Sequence, residues 1–457
     1  MSLPMYREYR DIGSQWLGAV PAHWSVKRLR FVVELNPSKS ELAKLPKDTE
    51  VSFLPMEAIG DDGSLNVEKT RALQEVETGY TYFRDGDVTV AKITPCFENG
   101  KGALMAGLLG GIGFGTTELI VARPKSGQVS AKFLNWIFQS PGFRKQGEAW
   151  MYGAGGQKRV PDDFVRNCLW CFPPFTEQEA ISAFLDRETS KIDALISEQE
   201  KLLELLAEKR QATISHAVTR GLNPDVPMKD SGVAWLGHVP SHWTLKQLRH
   251  IAKIVRGASP RPAGDPLFFS NENHGNGNLP WVTVAEVTKD DTYFLETVSE
   301  YLTPDGIQNS QKFESGTVVF TNSGATLGVP KILKIDCCAN DGILAFKNLS
   351  RDVEPLFLYM FLSTTTERLR TEMKQGGGQP NLNTDIVKGI VFAQPSINEQ
   401  RSIVSFIQDE LKRLDSLKAQ AFRAIELLSE RRSALISAAV TGKIDVREHS
   451  SALAVAA

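Results

Sequence analysis

Nine residues, WLGAVPAHW from Trp16 to Trp24, return as WLGHVPSHW from Trp235 to Trp243. Over the wider windows DIGSQWLGAVPAHWSVKRLR and DSGVAWLGHVPSHWTLKQLR, 12 of 20 positions are identical. Self-similarity within one chain restricts the fold to architectures built from copies of one unit. A second pair follows at nearly the same spacing: Thr176 to Gly221 aligns with Asn398 to Lys443, and neither stretch contains Pro or Gly before its terminal glycine, Gly221 or Gly442. Each reads as one long helix.

The helix signals repeat as well. Thr176 and Glu179 stand at capping-box spacing behind Pro173 and Pro174, and Ser396 and Glu399 do so behind Pro395. Gly221 and Gly442 are the matching C-terminal stops. Ile181, Leu185, Ile192, Leu195, Leu202 and Leu206 recur at steps of about 3 and 4, as do Ile403, Ile407, Leu414, Leu417, Ala424 and Leu428. A seam that narrow predicts a coiled coil, formed between the two helices of one chain or, as the alternative, between two copies of it.

Between these landmarks the stretches from about 30 to 172 and from about 250 to 393 read as mixed α/β, with strand-like runs VTVAKIT and TVVFTNS each introduced by Phe-x-x-Gly. A third repeat closes them, GAGGQKRV at Gly153–Val160 against GGGQPNLN at Gly376–Asn383. The expected organisation is a first mixed module over 1–175, a long helix over 176–221, a second module over 222–395, a second long helix over 396–443, and a disordered tail over 444–457.

Composition excludes several function classes. Apolar residues at 42% and charged residues at 23% are ordinary for a folded globular chain, and a net charge of −2 argues against coating nucleic acid through bulk charge. No run approaches the roughly 18 apolar residues of a membrane span, and the MSLPMYREYRDIG start has no apolar signal-peptide core, so a cytoplasmic location is expected. Five cysteines do not make a disulfide framework, and the lone CxxC at Cys168 and Cys171 reads as buried thiols. FPPF at Phe172–Phe175 lacks the side-chain acceptor an amino-methyltransferase needs there, GGIGFG at Gly110–Gly115 is not a dinucleotide loop, and Val90 spoils a nuclease reading of Asp87 and Lys92. His23 and His242 have no second ligand at metal spacing and fit structural hydrogen bonds beside the tryptophans.

Groups suited to reading DNA are present. Lys92, Asn99 and Lys101 sit among glycines in AKITPCFENGKG, and Gln157, Lys158 and Arg159 form a compact run. In the second module Asn322 and Ser323 follow a strand, while Gln379, Asn381 and Asn383 lie on a glycine-opened loop. Gln and Asn can pair with adenine, Arg and Lys with guanine, and lysine with phosphate. Taken singly, each residue also suits a solvated turn; that reading loses force for the Gly-Gly-Gln loop, which recurs in register.

Together the WLGxVPxHW phrases, the Glu177–Gln178 and Glu399–Gln400 helix openings, AKITPCFENGKG and GGGQPNLN resemble the specificity (S) subunit of type I restriction-modification systems, over nearly the whole chain up to about Ile444. The resemblance implies an α+β fold, a tandem pseudo-symmetric duplication in which two mixed α/β target recognition domains are joined by two long helices packed as an antiparallel coiled coil. It implies a non-catalytic subunit that reads a bipartite, asymmetric site in double-stranded DNA. Its partners would be two modification subunits, which carry adenine-N6 methyltransferase chemistry, and restriction/translocase subunits. No cofactor is expected in this chain; S-adenosylmethionine, ATP and Mg belong to the partners. A coiled-coil adaptor with protein-binding modules and a self-contained DNA methyltransferase are the rival readings.

Overall fold

Two proline-free stretches become the two long helices, Phe175–Arg220 with 46 residues and Ile397–Val440 with 44. The first starts one residue earlier than its sequence suggests: Gln178 N donates to Pro174 O at 3.0 Å, which places Thr176 inside the first turn and not at the cap. The second starts as expected, with Ser396 Oγ accepting from Glu399 N at 3.3 Å. At the far end Lys443 N donates to Ala438 O at 2.8 Å and Gly442, at φ +72°, donates to Ala439 O at 3.3 Å. That pair of bonds satisfies the last carbonyls and requires a residue tolerant of the left-handed region. Gly221, at φ +75°, ends the first helix.

This computed structural model describes residues 3–154, 156–271, 277–324, 326–371 and 382–447. The chain divides into two compact units, one of residues 1–200 with 422–457, the other of residues 201–421. In the first, a three-stranded antiparallel sheet runs Val33–Leu35, Leu119–Pro124, Val88–Ala91. A four-stranded sheet runs Thr70–Ala72, Glu50–Leu54, Ile112–Gly115, Thr81–Arg84, with its central pair parallel. Helix Ala131–Gln139 buries Phe133, Leu134 and Ile137 in the core shared with Val88 and Val90. In the second unit one five-stranded sheet runs Lys253–Arg256, Ile343–Lys347, Val318–Thr321, Pro330–Leu333, Phe294–Leu295, and helix Pro355–Thr371 packs beside it. A second five-stranded sheet is built around Leu279–Val282 and Cys337–Ala339, which pair in parallel. The fold is mixed α/β, with the long helices added.

The tryptophan phrase has a structural purpose. In the first unit Trp24 is fully buried and its Nε1 donates to Glu177 Oε1 at 3.0 Å, His23 Nε2 lies 2.9 Å from Glu177 Oε2, and Tyr6 Oη donates to Glu177 Oε1 at 2.7 Å. Tyr9 Oη donates to Gly442 O at 3.0 Å, and Pro21 and Trp24 close over Gly442. One phrase thus holds the start of one long helix and the end of the other. In the second unit Trp243 Nε1 donates to Glu399 Oε1 at 3.0 Å, His242 lies 3.0 Å from Glu399 Oε2, and Gly221 packs on Trp243 and Pro240.

Some expectations need correction. Leu195, Leu202 and Leu417 are 46%, 38% and 45% exposed, so the seam is not continuous at those positions, whereas Ile181, Leu185, Ile403, Ile407 and Leu414 are buried. Residues 444–447, expected to belong to the tail, are held in place, with Val446 buried, Asp445 N donating to Pro4 O at 2.7 Å and Arg447 over the Tyr6 ring, and residues 448–457 lie outside the described residues. Cys168 and Cys171 are buried thiols, as read from the sequence. No helix among the described residues is long and apolar enough to cross a membrane.

Candidate nucleic-acid interface

In the first unit the buried strand Val88–Ala91 reaches the surface at Lys92. Lys92 N donates to Glu118 O at 2.8 Å, while Lys92 O accepts from Val160 N at 2.8 Å and Thr94 N donates to Lys158 O at 2.9 Å. The Gly-Gly-Gln loop therefore folds back against the end of the strand. Arg159 N donates to Tyr152 O at 2.9 Å and Tyr152 N to Arg159 O at 3.2 Å, closing the loop at its neck. Gly153, at φ +139°, makes the closure possible: a Cβ there would stand 2.5 Å from Gln157 O.

The result gathers Lys92, Gln157, Lys158 and Arg159 at one strand end, with Gln157 and Lys158 exposed. Lys101 flanks the same strand, since Ala91 N donates to Lys101 O at 2.8 Å, and its Nζ donates to Met56 O at 3.3 Å. Asn99 is exposed on the intervening loop, which Phe97 anchors in the core. Arg159 is the most constrained of the set. Its Nε lies 3.0 Å and its Nη2 2.7 Å from the Glu118 carboxylate, and the guanidinium's hydrogen bonds hold that carboxyl below the usual range.

In the second unit the backbone pattern recurs. Asn322 N donates to Gly342 O at 2.9 Å, and Asn322 O accepts from Leu382 N at 2.7 Å. The side chains differ. Asn322 is buried, with no donor to its Oδ1 among the described residues, so it does not present its amide outward as the sequence suggests. Asn383 is exposed, but its Oδ1 accepts from Asp385 N at 3.0 Å and caps helix Thr384–Gly389. Ser323 is half-buried beside Gly342. Gln379 and Asn381 lie outside the described residues.

Three residues escaped the sequence reading. Glu118 precedes a strand with nothing local to mark it. Trp150 and Tyr152, 58% and 65% exposed, flank the glycine loop, and the aromatic spacing of AWMYGAGGQKR was a usable signal. Among the described residues no group of His, Cys, Asp and Glu is arranged to hold a metal ion.

Comparison with known proteins finds relatives for part of the chain. Residues 240–427 match the family model described as type I restriction modification DNA specificity domain. The matched stretch is similar to the type I restriction-modification specificity family. The chain is 43% identical over 193 residues to the type I restriction enzyme EcoAI specificity subunit of Escherichia coli, an alignment covering 42% of this chain and 32% of the relative. The chain thus spans about a third of the length of that curated relative. Among solved structures, a chain from work on complex assembly and conformational transition of the type I R-M system superposes with a TM-score of 0.70 at 20% identity, covering 92% of this chain and 98% of the other. The HsdS subunit from Thermoanaerobacter tengcongensis superposes with a TM-score of 0.58 at 19% identity, covering 93% and 98%. Both solved chains share the fold of the present chain.

Proposed function

We propose that this chain is the non-catalytic DNA-recognition subunit of a type I restriction-modification system, reading one half of a bipartite, asymmetric site with each unit. The observation that carries the reading is the repeated strand end: the same backbone arrangement, at Lys92 with Val160 and at Asn322 with Leu382, carries different side chains in the two units. A shared frame with divergent surface chemistry suits two modules that read different sequences in fixed geometry. Lys92, Lys101 and Lys158 supply charge for phosphate, and Gln157 and Arg159 supply donors for base edges.

We further propose that the chain is a tandem duplication whose long helices pair antiparallel. In the first unit Ile181 and Leu185 share a core with Ile436 and Val440, and Asp193 pairs with Arg432 at 2.8 Å. In the second, Leu206, Ala217 and Val218 share a core with Ile403, Ile407 and Leu414, and Arg210 pairs with Asp415 at 2.7 Å. Within each unit, positions advance along one helix as they recede along the other, which supports the pairing.

Two adenine-methylating modification subunits, supplied with S-adenosylmethionine, and ATP- and Mg-dependent restriction subunits are the partners this reading requires, in the cytoplasm. The test is a domain exchange. Replacing residues 1–175 with the equivalent part of another such subunit, in the assembled methyltransferase, changes one half of the methylated site and spares the other. Exchange that alters neither half, or methyl transfer by this chain alone, contradicts the proposal.

A further inference from the structure

We propose that Arg159 reads a guanine in the half-site of the first unit and that Glu118 is the positioning residue that aims it. The inference rests on the DNA-reading function above and assigns it a base.

Arg159 is held along its whole length. Its backbone exchanges both hydrogen bonds with Tyr152, and the flanking Thr94–Lys158 and Val160–Lys92 bonds, at 2.9 and 2.8 Å, lock the neighbours on each side. Its side chain is then fixed from one edge: Nε at 3.0 Å and Nη2 at 2.7 Å engage the two oxygens of Glu118. Glu118 is itself anchored, because its carbonyl accepts from Lys92 N and its neighbour Leu119 opens a strand buried in the sheet. Tyr152 stands directly across the ladder from Arg159, on the same face.

A guanidinium has five N–H groups. The fork to Glu118 uses one on Nε and one on Nη2, and leaves the outer end, with both Nη1 hydrogens and one on Nη2, on a side chain 40% exposed. Two parallel donors at that end match the O6 and N7 acceptors of guanine. Adenine offers N7 but places its N6 amino donor where the second acceptor must be, and the pyrimidines present no such pair. A planar fork held in advance loses little freedom on binding, which is what a carboxylate partner contributes. The pair is of little use otherwise, since partly exposed ion pairs add almost nothing to stability. In the second unit Gly342 occupies the backbone position of Glu118, so the device belongs to one half-site.

The experiment uses the chain assembled with its modification subunits. Competition binding is measured on duplexes varied at each position, with methylome sequencing alongside, and the first half-site is assigned by the 1–175 exchange. Arg159→Ala loses discrimination at one G·C pair by about 5- to 150-fold and keeps it elsewhere. Arg159→Lys, which retains the charge but not the paired donors, does the same with its salt dependence intact. Glu118→Ala weakens discrimination at that same pair, with an unchanged melting temperature and an unchanged second half-site. A first half-site without a G·C pair, or an Arg159→Ala variant with full discrimination, overturns the proposal. So does a Glu118→Ala variant that weakens all sequences equally or lowers the melting temperature. If the exchange moves neither half-site, the DNA-reading function falls and not this assignment alone.

Discussion

Glu177 and Glu399 occupy equivalent places and differ in burial, with side chains 6% and 29% exposed. Glu177→Ala leaves the Trp24 N–H and the Tyr6 O–H buried without an acceptor, at about 1–3 kcal/mol each. Glu399→Ala strips one tryptophan N–H in a wetter site. Denaturant unfolding of the two variants is therefore expected to show the larger loss at Glu177, and an equal or reversed order would refute this account of the tryptophan phrase. The cysteines give a second prediction. Burial pushes the thiols of Cys168, Cys171 and Cys337 up to about 12, and raises that of Cys338 as well. At pH 8 these groups are neutral and shielded, so an alkylating reagent labels the half-exposed Cys96 first and the other four on unfolding. Peptide mass spectrometry reads the order; early labelling of Cys168 or Cys171 would contradict it.

At the scale of elements, the long helices were legible because their signals are local: two runs without Pro or Gly, apolar residues at helical spacing, and a glycine at each end. The start of the first was less so, since Phe175 opens it ahead of Thr176. Gly442 and Gly13 separate conformation from packing, having φ near +70° alike. A Cβ at Gly442 meets Pro21 Cδ at 2.5 Å, and one at Gly13 meets nothing within 4 Å. Gly13→Ala is expected to cost about 1–2 kcal/mol for the left-handed backbone. Gly442→Ala adds about 1–3 kcal/mol of overpacking where the helix end meets the tryptophan phrase. Thermal unfolding that ranks the two equally would show that this junction yields.

For the whole molecule, the long helices are proposed to set the distance between half-sites. Inserting four residues into each, after Glu200 and after Ala421, adds about one turn, or roughly 6 Å, and nearly preserves each packing face. A base pair rises about 3.4 Å. The methylated site should keep its half-sites and gain one or two base pairs of spacer, as methylome sequencing reports. An active enzyme with the original spacer would remove the helices from that role.

The sequence by itself determined the repeated frame, both long helices, the buried CxxC and the structural part played by His23 and His242, because repetition and helical period are written between near neighbours. It also marked the loop at Gln157, Lys158 and Arg159 through its glycines. Tertiary structure alone decided which polar groups face outward. Asn322 looks like a reader beside its strand and is buried by the sheet around it; Asn383 looks free and caps a helix. Glu177 meets Trp24 across 153 residues and Glu118 meets Arg159 across 41. A carboxylate's role depends on the donor that folding brings to it, and no local pattern encodes a partner that distant.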